Sequence, residues 1–147
     1  MILVQNKLLV LGVEGLLFKV PGFVDTKLQH SNPPNFKYAP CNYYQCKFSA
    51  HLLEVAKGKY DIAIWFTWKK INFFLQKFDW IKAIKFVFFW GTSQCTMNNC
   101  KIIRARNLLP IYKKNLSKVF DIYDGKYDKF NILFIDEARY HSGNNRE

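Results

Sequence analysis

The sequence predicts an α/β fold, a mostly parallel sheet with flanking helices. Three observations carry that reading. The runs Lys7–Leu11, Tyr60–Thr67 and Asn131–Ile135 are apolar almost without interruption, the pattern of strands buried on both faces. Between them lie segments with apolar residues at helical spacing, so strands and helices alternate along the chain. With 147 residues, half of them hydrophobic, the chain has room for one domain with a substantial core.

The elements follow in order. Lys7–Leu11 reads as the first strand, and Val13–Val20 as a second extended run ending at Pro21 and Gly22. The segment His30–Pro40 holds Asn32, Pro33, Pro34 and Asn35 and reads as a loop. Phe48–Ala56 carries Leu52, Leu53, Val55 and Ala56 at helical spacing and stops at Lys57 and Gly58. Tyr60–Thr67 is β-branched and aromatic, a buried strand. Lys69–Phe78 is expected to be helical, and Lys85–Trp90 returns to strand until Gly91. A polar stretch leads to Arg106. Leu109, Tyr112, Leu116, Val119 and Phe120 then form one helix stripe, with Lys113, Lys114 and Lys118 outside it. Asp124 and Gly125 make a turn before Asn131–Ile135, which delivers Asp136 and Glu137 at its carboxyl end.

Composition narrows the function classes. Twenty-two Lys and Arg against eleven Asp and Glu give a net charge of +11, which attracts acidic or phosphorylated partners, nucleic acid and anionic surfaces alike. Fourteen Phe, eight Tyr and four Trp imply rings in a core or on a partner surface. Cys41, Cys46, Cys95 and Cys100 fall in two pairs, each with four residues between, which is not the spacing of a zinc knuckle or ribbon. His30, His51 and His141 lie outside the candidate site segments and are expected at the surface. No basic and apolar leader with a cleavage site opens the sequence, and Lys69, Lys70, Lys77, Asp79, Lys82 and Lys85 break up the Phe-rich centre that would otherwise span a membrane. The expectation is a soluble intracellular protein, of nucleus or cytoplasm rather than mitochondrion.

In an open α/β sheet the carboxyl ends of the strands carry the site. Here that edge would gather Gly12 with Glu14, Phe66 with Thr67, and Asp136 with Glu137. The adjacent carboxylates Asp136 and Glu137 are the best candidates for holding a hard cation such as Mg²⁺ through oxygen, though weakly for want of further ligands.

These segments resemble, in order, the FCP-type branch (NLI-interacting-factor, CTD-phosphatase-like) of the haloacid-dehalogenase superfamily. KLLVLGVEGLLF is similar to that family's first strand and catalytic loop, YDIAIWFT to its second motif, and FVFFWGTSQCT to a stretch of its plant-type branch. LPIYKKNLSKVF and NILFIDEARY resemble the helix and the final acidic strand. The resemblance covers most of the chain and implies a single FCP homology domain over 1–147, with a haloacid-dehalogenase-like sheet and without the segment that closes it in family members.

The resemblance also implies which working residues are missing. Gly12 stands where active members place the aspartate nucleophile, and Glu14 where the second acid acts as general acid/base. The family's hydroxyl aligns with Phe66, with Thr67 one place along, and its phosphate-binding lysine with Leu109. Glu14, Thr67, Asp136 and Glu137 are the residual site. Phosphate monoesters hydrolyse so slowly that enzymes accelerate them by up to about 10²¹-fold, and this route needs the attacking carboxylate. The expected function is therefore that of a catalytically inactive, phosphatase-like domain that binds a protein, phosphorylated or acidic, with no cofactor or only weakly held Mg²⁺. The alternatives are a weakly active Mg²⁺-dependent protein Ser/Thr phosphatase, a domain like that of the mitochondrial import-translocase receptor, and a nucleic-acid-binding module. No recognised nucleic-acid motif supports the last.

Overall fold

The computed structural model describes residues 6–19, 33–38, 41–67, 75–104 and 107–136, and at 38, 41, 97–104 and 107–112 the backbone alone. β1 (Leu8–Leu11), β5 (Asp61–Trp65), β6 (Phe89–Trp90) and β9 (Ile132–Ile135) form a four-stranded parallel sheet in the order β6-β5-β1-β9. The uninterrupted apolar runs of β1 and β5 follow from burial on both faces, whereas β9, expected to be buried likewise, lies at the sheet edge and is only partly covered, with Leu133 exposed. Leu9, Leu11, Ile62 and Ile64 enter one core layer, while Leu8, Val10, Ala63 and Trp65 enter the other. Helix α1 (Ser49–Ala56) sends Leu53 and Ala56 into the first layer, and the short α2 (Asp79–Lys82) adds Ile81. Helix α3 (Ser117–Ile122) covers the second layer with Val119. These elements make the fold α/β, as expected.

Much of the aromatic content is internal. Phe18 packs against Phe36, Phe78 and Trp80 with ring centroids 5.1–5.7 Å apart. Trp65, fully buried, meets Phe88 and Trp90 edge-on. His51 is exposed, as expected; His30 and His141 lie outside the described residues.

Several expectations need correction. The extended run predicted over Val13–Val20 is broken by a turn at residues 15–17, where Gly15 adopts φ 76°, and only Phe18–Lys19 is strand (β2). Within the predicted loop His30–Pro40, Phe36–Tyr38 forms β3, antiparallel to β4 (Cys41–Gln45), which also pairs with β2. Phe36 stacks on Tyr43 at 4.5 Å, so the aromatic content outweighs the nearby prolines. The predicted helix Lys69–Phe78 lies largely outside the described residues. Of the strand predicted over Lys85–Trp90, only Phe89–Trp90 is ladder-paired as β6.

The largest correction concerns residues 96–113. The stretch read as polar connection is β7 (Thr96–Arg104), and Leu109 and Tyr112 lie not on a helix but on its antiparallel partner β8 (Asn107–Lys113). Pro110, which cannot donate to a ladder, faces Lys101, at the edge of a register shift between Asn98 and Lys101. The helix starts only at Ser117, whose N–H is accepted by Asn115 Oδ1 at 3.1 Å.

At the amino edge of the sheet, Asn131 donates to the Lys126 and Asn6 carbonyls and its own carbonyl accepts the Leu8 N–H at 2.8 Å. Beside it the Tyr127 hydroxyl donates to Asp61 Oδ2 at 2.5 Å, and Tyr127 is 2 % exposed. Burial, and then the Asp61 carboxylate, push this phenol well above its usual value of 10. The folded state therefore keeps the proton longer than the unfolded chain. The stabilisation is complete below about pH 10 and is lost as pH rises through the folded value. Tyr127→Phe should cost about 1.5–3 kcal/mol at neutral pH, the range for a hydrogen bond to a charged group. In urea unfolding followed from pH 8 to 11, the gap between wild type and variant should narrow on the alkaline side.

Candidate functional site

The register of the parallel sheet builds the site. Leu11 lies opposite Ile64 and Ile135, so the chain leaves β1, β5 and β9 at the same edge. The Gly12 N–H donates to the Ile135 carbonyl at 2.8 Å, which sets Gly12 against Asp136. A Cβ on Gly12 would lie 2.9 Å from both Cγ and Oδ1 of Asp136, too close for any real side chain. The room a side chain at position 12 would need is filled by the Asp136 carboxylate, itself 1 % exposed.

Lys114 provides the cation. It is the first residue past β8, its side chain is completely buried, and its Nζ lies 2.5 Å from Asp136 Oδ2 and 3.8 Å from Glu14 Oε2. The sequence reading placed this lysine on the solvent side of a helix. It turns inward because the segment before it is strand. The available signal was two runs rich in β-formers, Lys101–Arg104 and Leu108–Tyr112, separated by three residues, the pattern of a hairpin. A buried lysine without an anion is costly, and two carboxylates lie within 4 Å of this one.

Glu14 stands on the loop after β1, its side chain 12 % exposed. Its Oε1 accepts the Thr67 hydroxyl at 2.5 Å and also the Thr67 backbone N–H, and its Oε2 accepts the Val13 N–H at 3.2 Å. Thr67 is two residues past β5, so this contact ties the loops after β1 and β5 together. Nearby, Cys95 donates to the Gly91 carbonyl at 3.6 Å. Burial pushes the Cys95 thiol up despite the Lys114 ammonium, which holds it in the unreactive protonated form at neutral pH.

Of the residues singled out from sequence, Gly12, Glu14, Thr67 and Asp136 come together. Phe66 does not join them. It is 5 % exposed in the core, and its ring edge would lie 2.9 Å from a Cβ on Gly91. Leu109 sits within β8, paired with Ile102, five residues before the lysine that enters the site. Glu137 lies outside the described residues.

Of the two carboxylates expected to hold Mg²⁺, only Asp136 is among the described residues. Asp136 is engaged by Lys114, Glu14 by Thr67, Val13 and Lys114, and no three His, Cys, Asp or Glu side chains gather among the described residues to hold a metal. The cation between the two carboxylates is the protein's own ammonium. Among the described residues no helix is long and apolar enough to cross a membrane. Neither a protein-family model nor a curated protein matches the chain.

Proposed function

We propose that this chain is a catalytically inactive haloacid-dehalogenase-like domain of the FCP type that acts by binding a protein. The observation that carries the reading is the position of Asp136, whose carboxylate fills the place where a nucleophilic side chain on residue 12 would project. The β1 loop lacks the attacking group, and its neighbours have closed over the gap.

Three further features support the family assignment. Strand order β6-β5-β1-β9 places the first strand centrally, with the second and the last on either side of it. The loops after β1, β5 and β9 bring an acid, a hydroxyl and an acid to one edge, in the chain order the resemblance implies. A lysine joins them, so the pattern is fuller in space than in alignment. The hydroxyl comes from Thr67 rather than Phe66, and the lysine from Lys114 rather than Leu109. What is lost by this reading is the nucleophile and the space around it. The net charge of +11 favours an acidic or phosphorylated protein segment as the partner.

The test is hydrolysis of a generic phosphomonoester by the purified protein, with Mg²⁺ and with a chelator. The expected rate is indistinguishable from buffer in both. Robust Mg²⁺-dependent turnover that disappears in Asp136→Asn would overturn the proposal.

A further inference from the structure

The convergence of donors on Glu14 has a specific chemical meaning. The Val13 N–H, the Thr67 N–H, the Thr67 hydroxyl and the Lys114 ammonium all point at one carboxylate, from three separate segments of the chain. Backbone N–H groups, a hydroxyl and a buried ammonium arranged around one point make a cradle for an oxyanion. The carboxylate is supplied by a side chain whose own loop forms one wall of the cradle. Lys114 Nζ also lies 2.5 Å from Asp136 Oδ2, so the ammonium keeps an ion-pair partner at the site whether or not Glu14 is there. Asp136 takes the near side of that ammonium, and Glu14 lies at the longer distance of 3.8 Å. Glu14 is also the more exposed, at 12 % against 1 %.

We infer that Glu14 is a tethered anion that plugs an oxyanion cradle formed by Val13, Thr67 and Lys114, and that without its carboxylate the cradle takes a phosphate-class anion. The inference rests on the reading of this edge as a binding rather than a catalytic site, and it adds that the site is held shut by the chain itself. The geometry also accounts for a glutamate at this position. The side chain reaches across from the β1 loop to Thr67 while the backbone at Gly15 turns away with φ 76°.

The test compares wild type, Glu14→Ala and Glu14→Gln by thermal unfolding and by calorimetric titration with inorganic phosphate and with a phosphoserine peptide, against chloride at equal ionic strength. Wild type and Glu14→Gln, whose amide oxygen still accepts the Thr67 donors, should show no phosphate-specific shift. Glu14→Ala should rise in Tm with phosphate concentration, as a ligand of the folded state alone requires, and bind at least tenfold more tightly than wild type. Adding Thr67→Val should abolish the gain. A response to the peptide as well identifies a phosphorylated side chain as an admissible occupant, whereas a response to inorganic phosphate alone limits the cradle to the free ion. If Glu14→Ala does not fold in chloride, refolding in phosphate should recover it. A folded Glu14→Ala indifferent to phosphate, a wild type that binds equally well, or a variant recovered in neither buffer would overturn the inference. Phosphomonoester turnover by wild type would count against inactivity alone, so the two proposals fail separately.

Discussion

Lys114→Met is expected to remove about 3–5 kcal/mol of folding stability, the usual cost of deleting one partner of a buried ion pair. Methionine keeps most of the apolar stem, so the loss isolates the ammonium. What remains is the Asp136 carboxylate, 1 % exposed and deprived of a cation 2.5 Å away. A small domain has roughly 5–15 kcal/mol in total, so the variant should unfold at markedly lower urea with little change in the slope of the transition. The double variant Lys114→Met/Asp136→Leu separates charge from packing. If the loss reflects an uncompensated carboxylate, the double variant should regain most of it, because apolar pairs often replace buried ion pairs without penalty. Equal instability in single and double variants would assign the effect to packing around Gly12.

The placement of Lys114 also marks where reading the sequence fell short. The central strands were legible because burial on both faces leaves an unambiguous pattern, as in Leu8–Leu11 and Asp61–Trp65. The site positions were legible from the strand ends, since Gly12 and Glu14 follow β1 and Asp136 follows β9. Lys114 was not legible, because its inward direction is set by the β7–β8 hairpin. In Leu109–Phe120 the apolar positions match a helical period by coincidence, while the pairing that decides the outcome comes from residues 96–104, a segment with no apolar periodicity of its own. Likewise Phe66 is buried because β5 ends one residue before it and its backbone N–H bonds to the Trp90 carbonyl. That inward turn leaves Thr67 as the residue bonded to Glu14. A one-residue offset at a strand end exchanges core for site, and spacing alone does not resolve it.

Gly12→Asp, the substitution that would supply a nucleophile by sequence logic, is expected to yield a less stable protein that is still inactive. Its Cβ would lie 2.9 Å from Cγ and Oδ1 of Asp136, and the carboxylate beyond it would enter a space already held by a like charge. Overpacking of this kind costs about 1–3 kcal/mol before repulsion is counted. Gly12→Ala provides the steric control, having the same Cβ and no charge. Urea unfolding should rank wild type above Gly12→Ala and Gly12→Ala above Gly12→Asp, with no phosphomonoester turnover in any of them. Attack on phosphorus needs the new carboxylate and the substrate oxygens in one open cleft. Here Asp136 has closed on Gly12, Lys114 has closed on Asp136, and Glu14 sits among the remaining donors. On the proposed reading, supplying one carboxylate at residue 12 would not open a cleft, because its neighbours already fill that space. A Gly12→Asp protein as stable as wild type, with Mg²⁺-dependent turnover, would show instead that the edge still opens and that only the nucleophile was missing.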